Sequence, residues 1–186
     1  MNIKLLTAAV LVFGVSFGAQ ASLTSSGPLT VFDSAQSLTW TKDANLNGQM
    51  DWATAVAWAN NLDYAGYTDW VLPTIDQLAT QFSTNLGEAS GQSIADSHND
   101  SYNLFTNLQS YVYWSGSEYA PFPGGAWDFN TYNGDQGSII YYKDHLLLAW
   151  AVRPGDVAAV PVPGAFWLFG SAMVGLMGLK RRGSIG

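Results

Sequence analysis

The chain has 186 residues, of which 48% are hydrophobic, 14% aromatic and only 11% charged, and it contains no cysteine. That length suits one main domain, and the missing thiols exclude a disulfide framework, thiolate metal sites and Cys nucleophiles. The net charge is −7, all 14 acids lie between Asp33 and Asp156, and the ends hold Lys4, Lys180, Arg181 and Arg182; so acidic an interior excludes a nucleic-acid-binding module.

In chain order, residues 1–21 read as a signal peptide. Lys4 precedes an apolar run from Leu5 to Phe17, and Ala19-Gln20-Ala21 supplies the small residues that signal peptidase accepts, with Ala19 and Ala21 as the cleavage determinants. The mature chain is expected to start at Ser22, outside the cytoplasm. Residues 22–29 are rich in Ser, Gly and Pro and read as a linker. A globular domain over 30–154 follows.

The segment from Asp43 to Asp51 places side-chain oxygens at Asp43, Asn45, Asn47, Gln49 and Asp51, with Gly48 at the sixth position. That ladder copies the first part of a calcium loop, although Thr54 stands where a bidentate Glu would close it. The expectation is a weak Ca²⁺ site of the kind exported proteins use; the competing reading is an ordinary Asn/Gly turn.

Two helices follow. Trp52, Ala55, Val56, Ala59 and Leu62 recur on one helical face, with Asp51 as N-cap. In the second, Thr74 and Gln77 form a capping box, and Ile75, Leu78 and Phe82 make the apolar stripe. Asp69–Leu72 reads as a strand ended by Pro73. The polar stretch after Gly87 predicts a long surface loop, with a short helix around Leu104–Leu108. Strands are then expected at Tyr111–Tyr119, Ala126–Tyr132, Ser138–Tyr142 and Leu146–Arg153, with a hairpin turn at Asn133-Gly134 and a turn at Lys143-Asp144. The sum is an α+β fold, two helices packed on antiparallel strands.

Residues 155–164 read as a linker with a Pro motif, Val160-Pro161-Val162-Pro163-Gly164, and 165–186 as an anchor helix with a basic tail. Ala165–Leu179 would span about 22 Å as helix, short of a hydrocarbon core of about 30 Å. Lys180-Arg181-Arg182 should stay on the cytoplasmic side. Pro motif, short apolar helix and Arg cluster together resemble the PEP-CTERM sorting signal of exopolysaccharide-producing Gram-negative bacteria, in a Val-Pro-Val-Pro variant. That resemblance implies cleavage near Pro161 and Pro163 by an exosortase-like enzyme and passage to the cell surface or extracellular matrix; a plain membrane anchor is the alternative.

The interior carries a second resemblance. Leu38-Thr39-Trp40, Gly66-Tyr67-Thr68-Asp69-Trp70-Val71-Leu72-Pro73-Thr74, Tyr113-Trp114-Ser115-Gly116-Ser117, Ala126-Trp127-Asp128-Phe129 and Trp150-Ala151-Val152-Arg153 occur in that order. The set resembles the Lcl C-terminal domain family, long catalogued as a domain of unknown function. The resemblance implies a C-type-lectin-like fold and, by analogy with an adhesive member, binding of glycan or exopolysaccharide. Val71 replaces the usual Arg of the motif, and the paired cysteines of many members are absent. Without cysteines, the chemistry of the related formylglycine-generating enzymes is excluded.

Aromatic faces beside amides and acids suit sugar rings. Among Trp114, Tyr119, Phe122, Trp127, Tyr132, Tyr141 and Tyr142, the candidates for ligand contact are Tyr119, Phe122, Trp127 and Tyr132, with core packing as the competing role. His98 and His145 belong to no GxSxG, HExxH, Walker or GxGxxG pattern. The reading is a non-catalytic, exported surface or matrix protein that binds glycan. Its alternatives are a matrix filler without specific ligand and a polysaccharide hydrolase.

Overall fold

The computed structural model describes residues 23–137 and 141–156. The signal peptide with Ala19 and Ala21, the Pro161/Pro163 motif, the anchor segment and residues 138–140 of the expected Ser138–Tyr142 strand lie outside the described residues. No helix among the described residues is long and apolar enough to cross a membrane.

The architecture is α+β. The first strands are β1 (Leu23–Ser25), β2 (Thr30–Asp33) and β3 (Leu38–Thr41), and then the short β4 (Gln49–Met50) leads into α1 (Trp52–Asn60). Helix α2 (Ile75–Ala79) widens into a π-helical turn over Thr80–Asn85, and a 3₁₀ turn spans Asp100–Leu104. The remaining strands are β5 (Val112–Glu118), β6 (Gly125–Asn130), β7 (Asp135–Gln136), β8 (Tyr141–Tyr142), β9 (Leu147–Leu148) and β10 (Val152–Pro154).

They form two sheets. One runs β1-β2-β3-β10 and is antiparallel throughout, so the last strand of the domain closes on its first three. The other runs β4-β9-β5-β6-β7, with β8 also on β6. Only the β5–β9 pairing in it is parallel. A bulge interrupts β5 between Trp114 and Glu118. There Gly116 N–H donates to the Pro73 carbonyl and Ser117 Oγ accepts from Ile75 N–H, so the bulge seats the start of α2. A side chain at Gly116 would stand 3.2 Å from the Leu72 carbonyl, which explains the glycine.

The local signals act as read. Asp51 accepts from Thr54 N–H at 2.8 Å and caps α1. Thr74 and Gln77 exchange both bonds of the capping box, at 3.2 and 2.8 Å. Ile75, Leu78 and Phe82 are buried in the main core with Trp40, Phe105, Tyr113, Phe129 and Trp150. A second core, with Met50, Ala55, Ala59, Trp114 and Ala126, lies between α1 and the larger sheet.

Four expectations are corrected. Residues 23–25, read as linker, form β1, because Leu23, Thr24 and Ser25 find partners on β2. Asp69–Leu72 is no strand: Trp70 turns inward, donating its indole N–H to the carbonyls of Tyr64 and Tyr67, and only Val71 bridges to Val152. The short helix lies at Asp100–Leu104 rather than Leu104–Leu108, since Asn99 caps it and Phe105 runs extended into the core. Leu146–Arg153 is two short strands in different sheets, β9 and β10, separated by the buried Ala149, Trp150 and Ala151.

The π-helical turn has a visible purpose. It carries Gln81 and Asn85 into the core, where Asn85 Nδ2 donates to Gln81 Oε1 at 2.9 Å and to Asp33 Oδ2 at 2.6 Å. Asp33 is fully buried and also accepts from Ala35 N, Gln36 N and Gln36 Nε2. Asp33→Ala leaves the Asn85 amide without that partner and is expected to lower unfolding free energy by about 2–3 kcal/mol. Urea unfolding measures it, and an unchanged midpoint would discredit the anchoring role.

Candidate functional site

The exposed aromatic surface forms where the β5–β6 loop meets the β8–β9 turn. Phe122 N–H donates to the Tyr119 carbonyl and Gly125 N–H to the Phe122 carbonyl, so the loop folds tightly back on itself. Lys143 N–H donates to the Gly124 carbonyl, and the Lys143 carbonyl accepts from Trp52 N–H, which ties loop, turn and helix α1 together. A Cβ at Gly124 would stand 3.0 Å from the Phe122 ring, so the missing side chain lets that ring lie over the loop.

Phe122, 45% exposed, meets Tyr142, 57% exposed, edge to face with centroids 5.4 Å apart. Tyr142 stacks near His145 at 6.1 Å, and His145 meets Tyr141 at 5.3 Å. Tyr119 packs edge-on against Trp127 at 5.1 Å. Around these rings Lys143 sits 4.3 Å over Trp52 and pairs with Glu118 at 3.2 Å. The result is an apolar aromatic ledge bordered by polar heads, the arrangement on which a sugar ring can lay its C–H face.

The four sequence candidates therefore separate. Tyr119, Phe122 and Trp127 share this end of β6. Trp127 is half-buried and packs on the main core, and a side chain at Gly137 would collide with its ring at 2.6 Å. Tyr132, 69% exposed, lies beyond the other end of β6. Tyr142 and His145 are the members that the choice of four omitted. Tyr142 stood in the wider aromatic set, but nothing local showed that the Lys143-Asp144 turn folds His145 back beside it.

The oxygen ladder splits in the same way. Asp43 Oδ1 accepts from Asn45 N–H at 2.8 Å and Oδ2 from Asn107 Nδ2 at 2.7 Å. Asp51 gives one oxygen to Thr54 N–H and the other to Thr54 Oγ; these bonds hold its carboxyl below the usual range. Gly48, at φ +71°, makes the turn, and Gln49 is exposed on β4. Asn47 is exposed. Asp43 lines a cleft of about 480 Å³ with Lys42, Leu46 and Tyr64. No group of three His, Asp or Glu gathers to hold a metal among the described residues.

Two buried carboxyls had no signal in the sequence. Glu88 is 4% exposed under the β6–β7 turn, and burial pushes its carboxyl up to about 8; the N–H groups of Gly134 and Ile94 oppose the rise and Asp135 adds to it. Asp128 is 1% exposed and burial pushes it up to about 7, opposed by Tyr141 N–H. Alternation along β6 would turn Asp128 away from Trp127 and into water; helix α1 covers that second face instead.

Comparison with known proteins adds one finding. Residues 29–153, most of the chain, match the Lcl C-terminal domain family. No curated protein matches the chain. The residues that carry the family pattern have structural duties: Asp69 takes a two-pronged bond from Arg153 at 2.6 and 2.9 Å, and Arg153 lies 4.1 Å over Tyr67.

The buried carboxyls fix a pH dependence. Folded Glu88 and Asp128 keep protons that the unfolded chain loses near 4.5 and 3.8, so the folded state binds more protons and stability falls as pH rises. The loss runs from about 4.5 to 8 for Glu88 and from 3.8 to about 7 for Asp128. Asp69, held low by the Arg153 bond, acts oppositely, its contribution disappearing as pH falls below the ordinary value of 3.8. Thermal melts are therefore expected to peak between about pH 4 and 5 and decline towards pH 8. Glu88→Gln should flatten the decline; a variant with the wild-type slope would remove Glu88 as its source.

Proposed function

The chain belongs to the Lcl C-terminal domain family, and from that premise we propose that it is a non-catalytic, exported cell-surface or matrix protein that binds neutral glycan or exopolysaccharide. The family is compatible with a cell-surface or carbohydrate-binding role. The observation that carries the reading is the ledge of Phe122, Tyr142 and His145, where two large aromatic side chains stay about half exposed side by side. Rings so placed lose apolar burial unless something covers them.

Export rests on the Ala19-Gln20-Ala21 cleavage pattern, and surface delivery on the Pro161/Pro163 motif with the basic tail. The partners in that route are signal peptidase and an exosortase-like protease, with a transient membrane anchor between them.

Affinity electrophoresis of the full chain through a panel of neutral and acidic polysaccharides tests the binding. Phe122→Ala and Tyr142→Ala are each expected to weaken retardation by a neutral polymer about tenfold, equivalent to about 1.4 kcal/mol. Retardation by no polysaccharide would favour the matrix filler, and loss of polymer length during incubation would favour the hydrolase.

Weak Ca²⁺ bound by the Asp43–Asp51 oxygens would be structural and would compete with the hydrogen bonds those carboxylates already make. Millimolar Ca²⁺ should then raise the melting temperature by a few degrees over chelator, because a ligand of the folded state alone stabilises it. Asp43→Asn should abolish the rise, and identical wild-type melts would refute the site.

A further inference from the structure

A second cleft lies at the other end of the larger sheet. It has a volume of about 270 Å³ and is lined by Asn45, Gln49, Gln109, Ser110, Tyr111 and Leu148, with Gly48 at its edge. Strand β5 runs seven residues from Tyr111's end to Glu118 beside the aromatic ledge, so at a rise of about 3.3 Å per residue the two places are about 20 Å apart.

The lining of this cleft is uncharged. Every acid and base of the domain is absent from it, although the domain is strongly acidic. What it offers is three side-chain amides, a phenol and an apolar floor at Leu148, the Ser110 hydroxyl being engaged by Ser93. Each amide presents donors and an acceptor on one planar group, which matches the alternating donor and acceptor demands of neighbouring hydroxyls on a ring. Tyr111, 40% exposed, supplies a flat face. Its N–H donates to Thr131 Oγ and its carbonyl accepts from Thr131 N–H, which fixes its backbone at the rim next to Tyr132.

One group is left over. Asn45 Oδ1 is buried without a hydrogen-bond partner, while the Asn45 N–H is committed to Asp43. A buried acceptor of this kind costs free energy until a donor reaches it. Gln109 is held in place through its backbone, its N–H donating to the Tyr113 hydroxyl and its carbonyl accepting from Thr131 Oγ. Its side-chain amide donates to the Asn107 carbonyl, which leaves the amide oxygen as an acceptor.

We propose that the Asn45–Gln49–Gln109–Tyr111 cleft is a second binding site that holds a single uncharged hexose ring. A carboxylated or aminated sugar would bring a charge into a lining with no counter-charge, and desolvating it there is unfavourable. The small volume takes one ring rather than an extended polymer. The site rests on the glycan reading only for the choice of probe, because its residues are distinct from those of the aromatic ledge.

Saturation-transfer NMR on the full chain separates the two. The probes are free glucose, galactose and mannose, with glucuronate and glucosamine as charged counterparts. At least one neutral hexose is expected to bind with millimolar affinity and the charged sugars not at all. Gln49→Ala, at an exposed strand position that spares the fold, and Gln109→Ala should each weaken the neutral sugar about tenfold. Phe122→Ala and Tyr142→Ala should leave it unchanged. Equal binding of charged and neutral sugars, no binding of any hexose, or indifference to both cleft variants would each overturn the proposal. A chain that still binds neutral polymer through the ledge while ignoring free hexoses would fail here with the ledge reading intact.

Discussion

The main core is built around Trp150. Its indole N–H donates to the Thr41 carbonyl at 2.8 Å, and its ring meets Trp40 at 4.6 Å, Phe105 at 4.9 Å and Phe82 at 5.7 Å. Those partners come from β3, from the segment after the 3₁₀ turn and from the π-helical turn. Trp150 also stands between β9 and β10, at the point where the chain leaves one sheet and enters the other. A large ring with a buried polar handle must satisfy both packing and its N–H, so its seating fixes the relation of the two sheets. Ala149 and Ala151, which flank it, are buried as well.

From that seat the family pattern acquires a physical meaning. Val152 bridges Val71 through two backbone bonds of 2.8 and 2.9 Å, and Arg153 clamps Asp69 while covering Tyr67. Trp70, 1% exposed, holds the Tyr64–Tyr67 turn closed through its indole N–H. The motif from Gly66 to Thr74 is therefore a staple that pins a long loop to the last strand. It identifies the fold without identifying a ligand, and binding chemistry is left to loops that the scaffold positions.

Sequence reading reached the elements whose cause is local. The capping box of Thr74 and Gln77 and the Asp51 cap depend on residues within one turn, so both were legible. The stripe of Ile75, Leu78 and Phe82 followed from periodicity. What escaped is set by distant partners. Leu23–Ser25 becomes a strand because β2 has a free edge, not because its composition favours one. Glu88 is buried by a hairpin over forty residues downstream, and its polar neighbours in sequence gave the opposite impression. Phe122 could be named from its loop, whereas its contact with Tyr142 and His145 needed the β8–β9 turn to fold back.

The charge pattern limits what such surfaces can take. Of the three bases inside the domain, Lys42 lines the Asp43 cleft rather than the ledge, Lys143 is engaged by Glu118 and Trp52, and Arg153 by Asp69 and Tyr67. At the ledge, therefore, the one nearby ammonium is already paired, while acids such as Asp144 and Glu118 stand more than half exposed. A sulfated or carboxylated chain approaching the ledge would meet like charge, at a distance where about 8 Å of screening leaves close repulsion intact. Aromatic faces and side-chain amides carry no such penalty. The same composition that excludes nucleic acid thus favours, for the role proposed for the ledge, an uncharged polysaccharide over a charged one on electrostatic grounds.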